Sequence, residues 1–149
     1  MKEVNLPQYS FSITGDPGHE MIFDQVRKKY VRLTPEEWVR QNFVQYLIRE
    51  GNYPSGLMII EAAFRLYNTK KRIDILIHNR LASPVMIVEC KVDTVDIDAK
   101  VLEQIVTYNM QFRVPYLVIT NGMVNIAVKF NQDFSAWEQL DIIPLYGEL

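Results

Sequence analysis

Apolar residues in this chain switch from helical to strand-like spacing and back, twice, and that order limits the fold more than any other feature. Trp38, Val39, Phe43, Val44, Tyr46, Leu47 and Ile48 recur at helical spacing behind Thr34-Pro35-Glu36-Glu37, a capping-box pattern with proline at the first helical position. A first helix is expected over residues 35–50, with Gly51 as its stop. Three strand-like stretches follow, Leu57–Leu66, Arg72–His78 and Val85–Val92, and their short separations suggest a meander. Val101, Leu102, Ile105, Val106 and Met110 restore the helical period over Asp98–Phe112, with Asp96 or Asp98 as cap. Tyr116–Thr120 and Met123–Phe130 read as strands joined at the Asn121-Gly122 turn signal. Gln132–Leu140 is expected to form a short last helix. Residues 1–25, punctuated by Pro7, Gly15, Pro17 and Gly18, read as an extended arm laid on the domain. The expected order is helix, three-strand meander, helix, two strands in one α/β domain over residues 1–149, and a helix between the third and fourth strands permits a parallel crossover.

At 149 residues and 48% hydrophobic, the chain can bury one sizeable core. Sixteen Lys and Arg against eighteen Asp and Glu leave a formal charge of -2, which excludes a uniformly basic nucleic-acid coat but permits a local basic groove. One cysteine, Cys90, allows no internal disulfide, and with only His19 and His78 beside it no zinc site is expected. The longest apolar runs, such as Leu57-Met58-Ile59-Ile60, fall far short of the roughly 18 residues a membrane helix needs, and the N-terminus opens no signal peptide. A cytoplasmic protein is expected.

Charges inside the core strands are where chemistry would sit. Asp74 interrupts Ile73–Ile77, and Ile87-Val88 runs into Glu89-Cys90-Lys91. Alternation sends Glu89 and Lys91 to one face and Cys90 to the other, which makes Cys90 a core residue rather than a nucleophile. An antiparallel hairpin centred between Leu81 and Ala82 sets Asp74 opposite Glu89 and Arg72 beside Lys91, with opposed Cβ atoms roughly 4.5–5.5 Å apart. Two carboxylates and a lysine so placed suit metal-assisted phosphodiester hydrolysis. Asp74, Glu89 and the Cys90 carbonyl would ligate Mg²⁺, and Lys91 would position the attacking water and neutralise the pentavalent state. The same spacing equally suits a metal-free ion pair at a sheet end, in which Lys91 or Arg72 satisfies Glu89 or Asp74.

These residues carry a resemblance. Asp74 followed by Glu89-Cys90-Lys91 resembles the PD-(D/E)XK nuclease signature. Arg32-Leu33-Thr34-Pro35-Glu36-Glu37, Lys71-Arg72-Ile73-Asp74-Ile75, Val88-Glu89-Cys90-Lys91 and Gln104-Ile105-Val106-Thr107-Tyr108 resemble the N-terminal nuclease domain of type I restriction enzyme R subunits, over about residues 21–130. The resemblance implies a restriction-endonuclease-like fold, with a central mixed β-sheet flanked by helices. It implies Asp74 and Glu89 as metal-binding acids, Lys91 as the catalytic lysine, and Gln104 and Tyr108 as a motif near the active site. Lys100, Gln104 and Tyr108 share one helix face by their four-residue spacing, and Arg72, Lys100 and Tyr108 are the expected DNA contacts. Glu37 has two open roles, as the capping-box partner of Thr34 or as a further acid at the metal. Arg27, Lys28, Lys29 and Arg32 either grip phosphates or form a solvated face. The spacing does not decide whether Glu61 reaches the site, and His78 alone makes a poor ligand.

The expected function is that of a Mg²⁺-dependent nuclease, with Mn²⁺ as an alternative metal, that hydrolyses DNA phosphodiesters. Small phosphate compounds are an alternative substrate of the same site. A catalytically idle module that binds nucleic acid or protein is the alternative of a different class. The sequence has no Gly-x-x-x-x-Gly-Lys-Ser/Thr loop and no DNA-reading motif, so a motor or specificity protein is expected in trans. A homodimer would supply the two sites that cutting both strands needs. The proline of the signature is replaced by Ile73, a position without chemistry.

Overall fold

Thr34 begins the first helix much as its spacing predicts. In a computed structural model that describes residues 2–149, its hydroxyl accepts from the Glu37 backbone N–H at 3.0 Å, and helix α1 runs over Pro35–Arg49. Gly51 follows because the Tyr53 ring folds back on it, and a Cβ there would lie 2.6 Å from a ring carbon. Thr34→Ala is expected to cost about 1 kcal/mol of stability, read as a shift in the urea midpoint with unchanged slope.

The meander forms as β4 (Met58–Leu66), β5 (Thr69–His78) and β6 (Pro84–Cys90), all antiparallel. Helix α2 (Ala99–Met110), capped by the Asp98 carboxylate at 2.8 Å from the Val101 N–H, then carries the chain across to β7 (Tyr116–Thr120), parallel to β6. β7 and β8 (Asn125–Phe130) form the expected hairpin. The strand starts later than Met123 because the Asn121 side chain accepts from the N–H groups of Met123 and Val124 and closes a loop around Gly122, whose φ is +87°.

Two expectations are corrected. The expected helix over 132–140 is instead the edge strand β9 (Trp137–Leu140), paired antiparallel with β8. Asn131 accepts from the N–H groups of Ser135 and Ala136, and Phe134 at φ +56° breaks any helical run, which leaves a hairpin turn. The extended arm is in part a folded sheet: β1 (Ile13–Thr14), β2 (Met21–Asp24) and β3 (Lys29–Arg32) form a three-stranded antiparallel sheet. Asp24 makes its turn by accepting from Val26 and Arg27, both at 2.8 Å. Met1, the first residue of that expected arm, lies outside the described residues.

The large sheet runs β4-β5-β6-β7-β8-β9, with one helix on each face. Phe43, Val44 and Leu47 of α1 pack on Ile60, Ile75, Ile77, Val88 and Cys90, while Leu102 and Val106 of α2 pack on Ala62, Ile73, Leu76, Ile87 and Leu117. Ile60 and Ala62 lie in opposite layers, as do Ile75 and Ile73, although strict alternation would put each pair on one face. The cause is local. Glu61 has φ +54°, and the ladder skips Glu61 and Asp74 while Ile60↔Ile75 and Ala62↔Ile73 keep register on either side. The two strands turn over at the point where their acids sit.

Candidate active site

The hairpin register follows the loop symmetry. Ile75 pairs with Val88, Leu76 with Ile87 and Ile77 with Met86, and the ladder becomes irregular only at His78. Asp74 lies one step further on, where its carboxylate replaces the ladder by accepting from the Cys90 N–H at 2.8 Å. Arg72 does not lie beside Lys91. Its backbone pairs with Ala63, and its guanidinium is 3.6 Å from Glu61. Lys91 turns the other way, since its N–H donates to the Thr120 carbonyl of β7 and its ammonium lies 3.4 Å from Glu89.

The two principal acids are held from opposite helices. Asp74 accepts from Arg40 of α1 at 3.1 Å. Glu89 accepts from Asn109 of α2 at 2.9 Å and from Lys71 at 3.2 Å, and Asn109 is itself buried. Their acidities diverge accordingly. Burial pushes the Asp74 carboxyl up to about 6; the Cys90 N–H and Arg40 oppose the rise, and Glu36 and Glu89 add to it. Burial would raise Glu89 too, but Lys71, the Asn109 amide and Lys91 together hold it below the usual range.

Behind Asp74 lies a buried charge cluster that the sequence did not reveal. Arg40, only 5% exposed, donates to both oxygens of Glu37 at 3.0 and 3.1 Å and to Glu61 at 3.3 Å. Arg27 bridges Asp24 at 2.6 Å and Glu37 at 2.8 Å, and Gln41 donates to both of these acids at 3.0 Å. Glu37 is therefore not the reciprocal capping partner of Thr34. Its backbone completes the cap, while its carboxylate is drawn inward by two guanidinium groups that hold it below the usual range despite burial. Arg27 is likewise no part of a solvated face; Lys28, Lys29 and Arg32 are exposed. Glu61, undecided by spacing, belongs to this cluster. The available signal was Arg40-Gln41 at three and four residues beyond Glu37, polar positions inside a helix otherwise rich in apolar residues.

On α2, Tyr108 lies beneath the Lys71 ammonium, 4.6 Å from the ring centroid, and so joins the Glu89 group through a cation–π contact. Gln104 and Lys100 are exposed on the same helix, and among the described residues no hydrogen bond ties either to the acids. The Cys90 thiol is buried and pushed well above its ordinary range by desolvation, in keeping with a core role. His78 offers its carbonyl to the Tyr146 hydroxyl at 3.1 Å.

Among the described residues no three His, Cys, Asp or Glu side chains gather as a ready metal cage. The donor set still suits Mg²⁺, which keeps several waters and needs only one or two carboxylates beside phosphate oxygens. Asp74 and Glu89, with the backbone carbonyl of Cys90 next in the chain to Glu89, offer hard oxygen donors of that type.

The raised Asp74 value has a stability consequence. Because the folded value lies above the ordinary 3.8, the fold favours the protonated carboxyl; this contribution is full below about 3.8 and is lost as pH rises through about 6. Relative to wild type, Asp74→Asn should gain up to about 3 kcal/mol between pH 4 and pH 7, measured by urea denaturation at both.

The type I restriction enzyme R protein N terminus is the family that matches, over residues 35–144. The chain belongs to that family. Among curated proteins, none matches the chain. The span matched to the restriction enzyme R N-terminal family holds α1, the whole large sheet and every candidate acid, while β1–β3 precede it, and yet β2 and the turn that follows it supply Asp24 and Arg27 to the buried cluster. Membership gives the chain a restriction-nuclease-related role and an involvement with DNA. Among the described residues no helix is long and apolar enough to cross a membrane.

Proposed function

We propose that the chain is a Mg²⁺-dependent deoxyribonuclease of the PD-(D/E)XK type. The observation that supports this reading best is that Asp74 accepts from the Cys90 N–H where the β5–β6 pairing ends, with Glu89 and Lys91 on either side of Cys90 and 3.4 Å from each other, inside the span matched to the restriction-enzyme family. Asp74, Glu89 and the Cys90 carbonyl would hold the cation, which when bound supplies Lewis-acid stabilisation of the phosphate and activation of water. Lys91, 36% exposed beside Glu89, would orient the attacking water and offset charge on the pentavalent phosphorus. Lys71 and Asn109 would keep the Glu89 carboxylate ionised and aimed, and Tyr108 would fix Lys71 from below. Asp74 serves as a ligand only when deprotonated.

One observation favours a second reading. Both principal acids already carry protein cations, Arg40 on Asp74 and Lys71 on Glu89, as an idle interaction module would arrange them. Supercoiled plasmid and single-stranded DNA, incubated with Mg²⁺, Mn²⁺ or EDTA beside a Lys91→Ala control, separate the two. Metal-dependent nicking that the control lacks supports the nuclease; DNA binding without turnover under either metal supports the module.

A further inference from the structure

The β4–β5 hairpin outgrows the sheet. β6 pairs with β5 only along Ile75–His78, so Ala62–Leu66 and Thr69–Ile73 continue as a two-stranded ribbon. One face of that ribbon is packed: Phe64 lies 5.1 Å from the Phe112 ring, and Leu66 joins the α2 layer. The other face presents Ala63, Arg65, Lys70 and Arg72, all exposed, and Tyr67 at the tip is 91% exposed.

We propose that this face is a binding surface for the phosphate backbone of duplex DNA, an inference that rests on the nuclease reading for its choice of ligand. Arg65 stands directly opposite Lys70 in the register, and like charges so placed destabilise a strand pair. No side chain among the described residues relieves them. Between Ala62 and Ile73 there is no acidic residue, and among the described residues neither Arg65 nor Lys70 forms an ion pair. In a chain of net charge -2, an acid-free ribbon with opposed cations fits an external polyanion. A two-stranded ribbon also matches the width of the B-DNA major groove. Arg65 and Lys70 lie four residues along their strands from Glu61 and Asp74, about 13 Å at strand rise, so one duplex can span ribbon and acids.

Fluorescence anisotropy with a labelled duplex in EDTA tests this without cleavage. Arg65→Ala/Lys70→Ala removes two phosphate-binding cations and should flatten the plot of log affinity against log salt by about 1.8, so that wild type weakens about twelve-fold more than the variant between 50 and 200 mM salt. Arg65→Glu is the sharper test. It creates an opposite-charge pair with Lys70, so it should raise the melting temperature while it weakens DNA binding, opposite signs that a purely structural role for Arg65 would not give. Equal affinities and slopes in wild type and both variants, or tighter binding of single strands than duplex, would overturn the proposal. Ribbon-dependent binding by a protein that never cuts would remove the nuclease reading and leave the ribbon standing; cutting with ribbon-independent binding would do the reverse.

Discussion

Replacing Arg40 by methionine should destabilise the protein by about 3–5 kcal/mol, the largest stability loss expected at the site. The guanidinium is almost fully buried and answers three carboxylates at once, Glu37, Glu61 and Asp74. Methionine fills much of the volume, so the loss reports uncompensated negative charge rather than a cavity. Glu37 retains Arg27 and Gln41, whereas Asp74 keeps only the Cys90 N–H. Urea denaturation gives the number, and the double variant Arg40→Met/Glu37→Gln should recover part of it by removing one of the stranded charges. A single variant as stable as wild type would mean that the cluster does not hold the fold together.

On the proposed chemistry, Lys91→Ala should lower the rate of metal-dependent DNA cleavage by about 10²–10³-fold, the loss typical when one group that stabilises transition-state charge is removed. Stability should change little, within about 0.5 kcal/mol, because Lys91 is partly exposed and its one ion pair, to Glu89, is long at 3.4 Å. The contrast with Arg40 is diagnostic. One substitution removes activity from a stable fold, and the other removes stability. Time courses of plasmid nicking with matched protein concentrations supply the rate ratio; a Lys91→Ala rate within a few-fold of wild type would separate this lysine from the chemistry.

Much of the framework was legible because short-range rules govern it. Both long helices, the meander and the Asn121-Gly122 hairpin follow from periodicity, caps and turn chemistry, and loop symmetry around Leu81 and Ala82 set the register of β5 against β6. The last strand was not legible, because the Asn131 side-chain turn and the left-handed Phe134 have no periodic signature. Neither was the Arg40 cluster. Glu61 adopts a backbone conformation that non-glycine residues rarely take, and it turns over two strands whose alternation would otherwise be regular. Pattern reading assumes that alternation, so the reach of Asp74 toward α1 could not be inferred. The small N-terminal sheet was hidden for another reason, since its short strands hold together through one Asp24-centred turn rather than a long apolar run.

The sequential order of the large sheet bears on how the site assembles in time. Every pairing but β6–β7 joins neighbours across a short turn, and the parallel one must wait for α2 to bring the chain back. Loop-closure entropy makes that contact the late one. Asp74 belongs to the early side, on the central strand of the β4–β5–β6 meander, whereas Glu89 pairs with Ile119 across the seam and is held by Asn109 of α2. Lys91 joins Glu89 on the late side, because its backbone is pinned to Thr120 across the same parallel seam. A nascent chain thus has Asp74 on a formed strand before Glu89 and Lys91 are fixed beside it, and local opening of the seam would free both of these while Asp74 stays on its strand.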